Sequence, residues 1–365
     1  MKHAFISDLH ANVRLPFARV SEGGINSDRL EDVCAVLRQA AIEALDRGCS
    51  SLYILGDLFD KKHPDGATLV STSRVLREMA DMGLQVNILP GNHDAVDRDG
   101  RLYTLQFLDA LKVDGIRVLG HEAIEIESGV RFHALPWLPD SRALKRMREM
   151  DKGRGNDRNI LLFHQSVVGA IGDTGWVSDE GLPTDAHDGF DFGLSGHYHK
   201  PQKHPWGIYL GSPLMMRFGD GEHKKRGMWV MDTSSKVLKP ELVQLDAPQF
   251  GTCRIHLDEG QTVSTLLDIA EAAAGVDYLR LIIEGDAQSI VASQKTLLHW
   301  KEDPSRWGLR WLKLDQRPER IESTHRMKIN PSLSPQRIAK QYATRHKQTS
   351  DVIALGADIL KEVTR

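Results

Sequence analysis

The chain predicts a layered α/β protein. Short apolar runs alternate with amphipathic helical stretches through its first two-thirds. The composition, 41% hydrophobic and 27% charged over 365 residues, is that of an ordinary globular protein. The pattern then resets around Pro240 and Ala247-Pro248-Gln249, a linker signal, and a second, smaller α/β unit follows. At about 100–200 residues per domain, this length suits two or three domains. They are expected at 1–246 (main domain), 250–318 (small α/β domain) and 319–365 (helical tail).

Lys2–Ser7 reads as the first strand. A helix opens near Asp28-x-x-Glu31, carries Leu30, Val33, Cys34, Leu37, Ala41 and Leu45 on one face, and stops at Gly48. Strands at Ser51–Leu55 and Leu84–Leu89 flank a helix at Leu69–Met82, and a further helix is expected at Leu102–Leu111. β-like runs follow at Gly129–Leu135, Asn159–Phe163, Phe190–Ser195 and Met228–Met231. In the small unit Arg254–Leu257, Tyr278–Ile283 and Leu309–Leu314 read as strands, Thr262–Ala274 and Ala287–Trp300 as helices. Ser334 as N-cap with Pro335 at the first helical position opens a terminal helix, and Asp351–Val363 forms another.

The charge balance, 47 Lys and Arg against 50 Asp and Glu for a net of −3, argues against binding polyanions by bulk charge. Any nucleic-acid site must be local or built on metal ions. Cys34, Cys49 and Cys253 stand far apart, which argues against a thiolate zinc site and against a disulfide framework. The first residues meet Asp8 after too short an apolar run for a signal peptide. No stretch of ~20 apolar residues could span a bilayer, so a cytoplasmic protein is expected.

Five polar clusters sit just past apolar runs: Asp8-Leu9-His10, Gly56-Asp57-Leu58-Phe59-Asp60, Gly91-Asn92-His93-Asp94, His164 and Gly196-His197-Tyr198-His199. If these runs are neighbouring strands, the clusters meet at one carboxyl edge, where α/β folds place their sites. A lone histidine is more often surface or satisfied core than ligand, and His3, His121, His133, His187, His204 and His223 are read that way; His63 stays open. Asp8, His10, Asp57, Asn92, His164, His197 and His199 together form an oxygen and nitrogen donor set too large for one cation. Two are therefore expected, with Asp57 shared between them. Glycines 56, 91 and 196 are expected to turn the backbone so that the next side chain points inward. His93 is not needed for coordination and is the candidate for protonating a leaving oxygen, with Asp94 orienting its imidazole.

The ordered set D-x-H, G-D-x-x-D, G-N-H-D, H and G-H-x-H resembles the calcineurin-like metallophosphoesterases over roughly the first 230 residues. The resemblance implies a layered β-sandwich flanked by helices. It also implies one metal held by Asp8, His10, Asp57 and His199, another by Asp57, Asn92, His164 and His197, and a catalytic His93. Asp60 is followed by Lys61-Lys62, and the third motif ends in Asp94, unlike the protein phosphatases of this family. The stretches Ala134-Leu135-Pro136-Trp137-Leu138-Pro139, Tyr209-Leu210-Gly211-Ser212-Pro213 and Arg217-Phe218-Gly219-Asp220 instead resemble the SbcD-type DNA repair nucleases.

That branch implies a manganese-dependent nuclease, with magnesium as the alternative ion, having 3′→5′ exonuclease and single-strand endonuclease activity. Its small α/β unit would cap DNA, and its terminal helices would dock an SbcC-type SMC-like ATPase in recombination, repair or replication. Its setting would be a bacterial cell or a phage-infected host. Some relatives carry histidine at the position of Asp60, which is tied there to exonuclease cutting. Relatives dimerise through helices that here carry Leu69, Leu76 and Met79, with Leu102, Leu105 and Leu108, although core packing explains the same spacing. Two basic stretches are candidate phosphate contacts: Ser141–Arg158, with Arg142, Lys145, Arg146, Arg148, Lys152, Arg154 and Arg158; and Arg217 with Lys224, Lys225 and Arg226. A small-substrate phosphodiesterase or nucleotidase, and a non-catalytic scaffold, are the rival readings.

Overall fold

The computed structural model describes residues 1–12, 20, 26–127, 129–152, 157–187, 189–220, 225–319, 337 and 343. The chain divides into two compact units, Met1–Arg317 and Pro318–Arg365. The expected terminal helices, with Ile338, Tyr342, Val352, Ile353, Leu355, Ile359 and Leu360, lie outside the described residues. Among the described residues no helix is long and apolar enough to cross a membrane.

Two six-stranded sheets face one another. The first contains β1 (Lys2–Ile6), β2 (Cys49–Leu55), β3 (Gln85–Leu89), β4 (Ile116–Val118), β11 (Gly227–Asp232) and β12 (Glu241–Gln244), in the order β12-β11-β1-β2-β3-β4. The second runs β5-β6-β7-β8-β10-β9 and contains β5 (Ala123–Glu127), β6 (Val130–Leu135), β7 (Arg158–Phe163), β8 (Phe192–Ser195), β9 (Gln202–His204) and β10 (Gly207–Tyr209). β1, β2 and β3 are mutually parallel, as are β6, β7 and β8.

The apolar runs are nearly continuous because both faces of each sheet are covered. On β1 and β2, Phe5, Tyr53 and Leu55 point between the sheets to meet Phe132, Ile160, Leu162 and Leu194. Their neighbours Ala4, Ile6, Leu52 and Ile54 point the other way, under Leu30, Val33, Leu37, Val75, Leu76 and Met79. Those residues belong to α1 (Asp28–Asp46) and α2 (Gly66–Asp81). The far face of the second sheet is covered by Ala143 and Met147 of α4 (Asp140–Glu149). The protein is thus a β-sandwich between helical layers.

α1 begins at Asp28 as expected, and α2 starts three residues earlier than the expected Leu69. The Ser27 side chain caps α1 by accepting from the Leu30 amide, and Asp65 caps α2 by accepting from Thr68 at 2.8 Å. The helix expected from Leu102 begins only at Gln106, as α3 (Gln106–Leu111). Of the leucines and methionine proposed for a dimer face, Leu76, Met79, Leu105 and Leu108 are core residues, and only Leu102 is substantially exposed. The spacing that suggested an interface is here that of core packing, as a helix buries one stripe against its sheet.

The third sheet has the order β13-β14-β15, from β13 (Phe250–Leu257), β14 (Tyr278–Gly285) and β15 (Trp311–Pro318). Each helix expected here is two. Thr262–Ala274 divides into α5 (Val263–Leu266) and α6 (Ile269–Ala273), because Leu267 is extended and Asp268 caps a new start through the Ala270 amide. Ala287–Trp300 becomes α7 (Ala287–Ala292) and α8 (Gln294–Glu302), separated at Ser293.

Candidate metal centre

The five clusters emerge from two sheets. The first three follow β1, β2 and β3, which are adjacent and parallel; His164 follows β7, and Gly196–His199 follows the adjacent parallel β8. Backbone bonds tie the clusters together: the Asp8 amide donates to Gly56 O at 3.1 Å and the His10 amide to Asp57 O at 3.0 Å. The main chain is bent hard here. Among the described residues, the non-glycine positions with positive φ are Asp8, His10, Asn12, Asp57, His197 and Lys112, and all but the last lie in or beside the clusters. Such conformations cost about 1–3 kcal/mol each and persist where surrounding structure imposes them.

All three glycines permit close approach, and a Cβ on Gly56 would lie 1.9 Å from His164 Nδ1. Gly56 has φ +87°. Gly91 and Gly196 need no left-handed turn and serve close approach: a Cβ on Gly91 would lie 2.2 Å from Asp57 Oδ1, and one on Gly196 2.1 Å from Leu55 O. A left-handed backbone is thus present at Gly56 alone of the three, while the side chains that follow all three, Asp57, Asn92 and His197, reach the same site.

The donor groups converge. Asp57 Oδ2 lies 3.3 Å from His164 Nε2 and 3.6 Å from His10 Nε2, while Asp57 Oδ1 accepts from the His93 amide at 2.8 Å. Asn92 Oδ1 lies 3.1 Å from His164 Nε2 and 3.0 Å from His197 Nδ1. His199 Nε2 and His10 Nε2 are 3.1 Å apart. Asp8 accepts the His197 amide at 2.9 Å. Asp8, His10 and His199 form one grouping able to hold a cation, and Asp8, Asp57 and His164 another.

The donor set fits divalent cations. His164 Nδ1 faces Leu55 O at 2.8 Å, a carbonyl that can only accept, so this nitrogen carries the proton. The neutral ring then turns the Nε2 lone pair toward the oxygens of Asp57 and Asn92. Acceptors face acceptors, and only a proton or a cation among them relieves the arrangement. Without metal, protonation supplies it. Burial would lower the His164 pKa, but the Asp57 charge outweighs burial and raises it to about 9. Asp57 is held well below the usual carboxylate range: burial opposes this, and the His164 and His10 charges overcome it. Burial, reinforced by the neighbouring His164 charge, lowers His197 to about 4, leaving that imidazole neutral and able to ligate.

This predicts a pH dependence for the metal-free protein. The folded His164 pKa of about 9 exceeds its ordinary 6.5, so its stabilisation is complete below pH 6.5 and is lost as pH rises through 9. Thermal melts of the metal-free protein should fall across that window, and His164→Asn should flatten the fall. An equally steep decline in His164→Asn would refute the charge pairing.

His93 is exposed beside this buried cluster, with its ring edge-on to His10 at a centroid distance of 4.7 Å. Asp94 does not hold that ring as expected. Its carboxylate accepts the amides of Gly91 at 2.8 Å and Phe59 at 3.1 Å, tying the second and third clusters together, and burial next to Asp57 lifts its pKa to about 7. The His93 ring is instead held through Nδ1 by the main-chain oxygen of Asp60 at 2.7 Å.

Nothing in the sequence marks Asp173, 3.1 Å from His199 Nδ1 and ten residues past the end of β7 rather than directly after it. Burial would raise its pKa, but His199 and Arg217 hold it down at about 2. Asp220 and Arg226 were noted only within their stretches. Asp220 accepts Arg217 Nε, and Arg226 Nη1 donates to His199 O and Ser212 O at 2.8 and 2.9 Å.

The candidate phosphate contacts are largely engaged internally. Arg142 meets Asp99, Lys145 meets Glu149, Arg146 donates to His121 O, Lys152 lies over the Phe190 ring, and Arg158 donates to Thr233 O. Lys224 and Arg154 lie outside the described residues. Of the histidines set aside, His3 is buried against Ser51 and His133 against Asn159, as core histidines; His223 lies outside the described residues.

This chain belongs to the calcineurin-like phosphoesterase family, whose family model matches residues 1–201. It is a metallophosphoesterase-fold hydrolase of a family that implies divalent cations, and it carries residue groupings able to hold them. Among curated relatives, the DNA double-strand break repair protein Mre11 of Methanopyrus kandleri is 25% identical over 254 residues, covering 64% of this chain and 54% of that protein. The protein of the same name from Saccharolobus solfataricus is 28% identical over 288 residues, 71% of each. The chain thus spans about half the length of the Methanopyrus relative. Among solved structures, a dimetal phosphatase from Danio rerio is similar at a TM-score of 0.37 and 10% identity, covering 63% of this chain and 91% of that one.

Proposed function

We propose that this protein is a metal-dependent DNA nuclease that hydrolyses phosphodiester bonds with paired divalent cations, manganese in the first instance. The observation that carries the reading is the convergence of Asp8, His10, Asp57, Asn92, His164, His197 and His199 on one site, in a chain whose curated relatives are named DNA double-strand break repair proteins. One cation is assigned to Asp8, His10, Asp57 and His199, and the other to Asp57, Asn92, His164 and His197. When bound, the pair supplies Lewis-acid charge at phosphorus and a nucleophile at neutral pH.

The chain's own residues do the rest. Asp57 orients the histidines through its carboxylate and fixes the His93 main chain. With Nδ1 facing Asp60 O, the His93 ring presents Nε2 as the nitrogen available to a leaving oxygen. The 3′→5′ exonuclease and single-strand endonuclease modes belong to this proposal. So do DNA capping by 250–318, docking of an SMC-like ATPase on 319–365, a homodimer, and a cytoplasmic setting in bacteria or phage-infected cells.

A digestion series tests it: blunt, overhanging and hairpin DNA with manganese, with and without the ATPase partner, beside bis-p-nitrophenyl phosphate. Manganese-dependent DNA cleavage is expected. Hydrolysis of the small ester with every DNA left intact would instead favour a small-substrate phosphodiesterase.

A further inference from the structure

The loop after β7 is pinned in place. Gln202 exchanges hydrogen bonds with both the amide and the carbonyl of Ile171 at 2.8 Å, Ile171 bridges Val177, and the Gly172 amide donates to Trp176 O at 2.8 Å. This presents Asp173 to the back of His199. Its Oδ2 lies 3.1 Å from His199 Nδ1, off the line of a straight hydrogen bond, and 2.8 Å from Arg217 Nη2; its Oδ1 is buried with no hydrogen-bond partner among the described residues. Arg217 in turn reaches Asp220 at 3.1 Å, so a guanidinium already fills the space between the two carboxylates, and this acidic grouping is not itself a cation site.

We infer that Asp173 is a positioning residue that fixes the ring and tautomer of His199 for metal binding. This rests on the two-cation reading above. A carboxylate beside Nδ1 keeps the proton on that nitrogen and leaves the Nε2 lone pair facing inward, where it lies 3.1 Å from His10 Nε2. Two imidazole lone pairs held that close repel each other unless a cation lies between them. The nearest carboxylate to His10 Nδ1 among the described residues, that of Asp60, stands farther off at 3.6 Å, beyond hydrogen-bond reach. The main chain of His199 is held separately, by Arg226 and by the Ser212 amide donating to its carbonyl. Asp173 therefore acts on the ring alone. Carboxylates in this relation to a ligand histidine orient it and raise its basicity, and their loss typically costs about 10–100-fold in metal affinity.

Manganese titration of the metal-free full-length chain by calorimetry tests this. The parent is expected to take up two equivalents. In Asp173→Ala one equivalent weakens about 10–100-fold while the other keeps its affinity, and Asp173→Asn, which keeps the shape and loses the charge, falls between. The visible absorption of the cobalt-loaded variants should differ from that of the parent. Unchanged affinity for both equivalents would overturn the inference while leaving the two-cation reading intact. So would equal weakening of both equivalents, which marks a role in holding the loop. A parent that takes up no manganese would overturn both.

Discussion

His93→Ala is expected to lower phosphodiester turnover by about 10²–10⁴-fold, the range for losing a positioned general acid, while both cations stay bound. The two halves of this expectation come from different atoms of one residue. The His93 amide donates to Asp57 Oδ1 at 2.8 Å and survives in alanine, so the pocket keeps its shape. The ring, held among the described residues by Asp60 O and an edge contact with His10, is exposed where a substrate can reach it. Steady-state kinetics on bis-p-nitrophenyl phosphate, paired with manganese stoichiometry, separates the two. Unchanged turnover would remove His93 from the chemistry, and loss of an ion would make it a structural residue.

Asp57→Asn should have the opposite pattern, abolishing uptake of both cations at concentrations that saturate the parent. Its carboxylate lies within 3.6 Å of the rings of both His10 and His164, one from each proposed ligand set. An amide keeps the shape but loses the charge and one of the two oxygens that a pair of cations would share. The same substitution should abolish the stability loss between pH 6.5 and 9, because His164 owes its raised pKa to Asp57. Retention of one tight equivalent in Asp57→Asn would show that the aspartate is not shared.

Much of the site is legible in the sequence because its signals are short and contiguous. Each cluster directly follows an apolar run, and the ends of parallel strands in a covered sheet must open at one edge. Neighbours that depend on loop placement are not legible. The residue nearest the His93 ring nitrogen is a main-chain oxygen at position 60, not the adjacent Asp94, whose carboxylate turns inward to bridge two loops. Nothing around Asp173 in the sequence marks it as the partner of a histidine 26 positions on, since only the pinned loop brings it there.

The amino-acid order by itself marked the longer strands and the polar clusters that follow them, since periodicity and donor chemistry are local properties, but not β4, β5, β9, β10 and β12. Only the tertiary structure decided that two sheets rather than one supply the pocket, which faces of α2 and α3 are core, and which carboxylate stands behind which imidazole. Those are matters of packing between segments far apart in the chain, where the energy of burial and the hydrogen-bond needs of buried groups select one arrangement among many that the same local patterns allow.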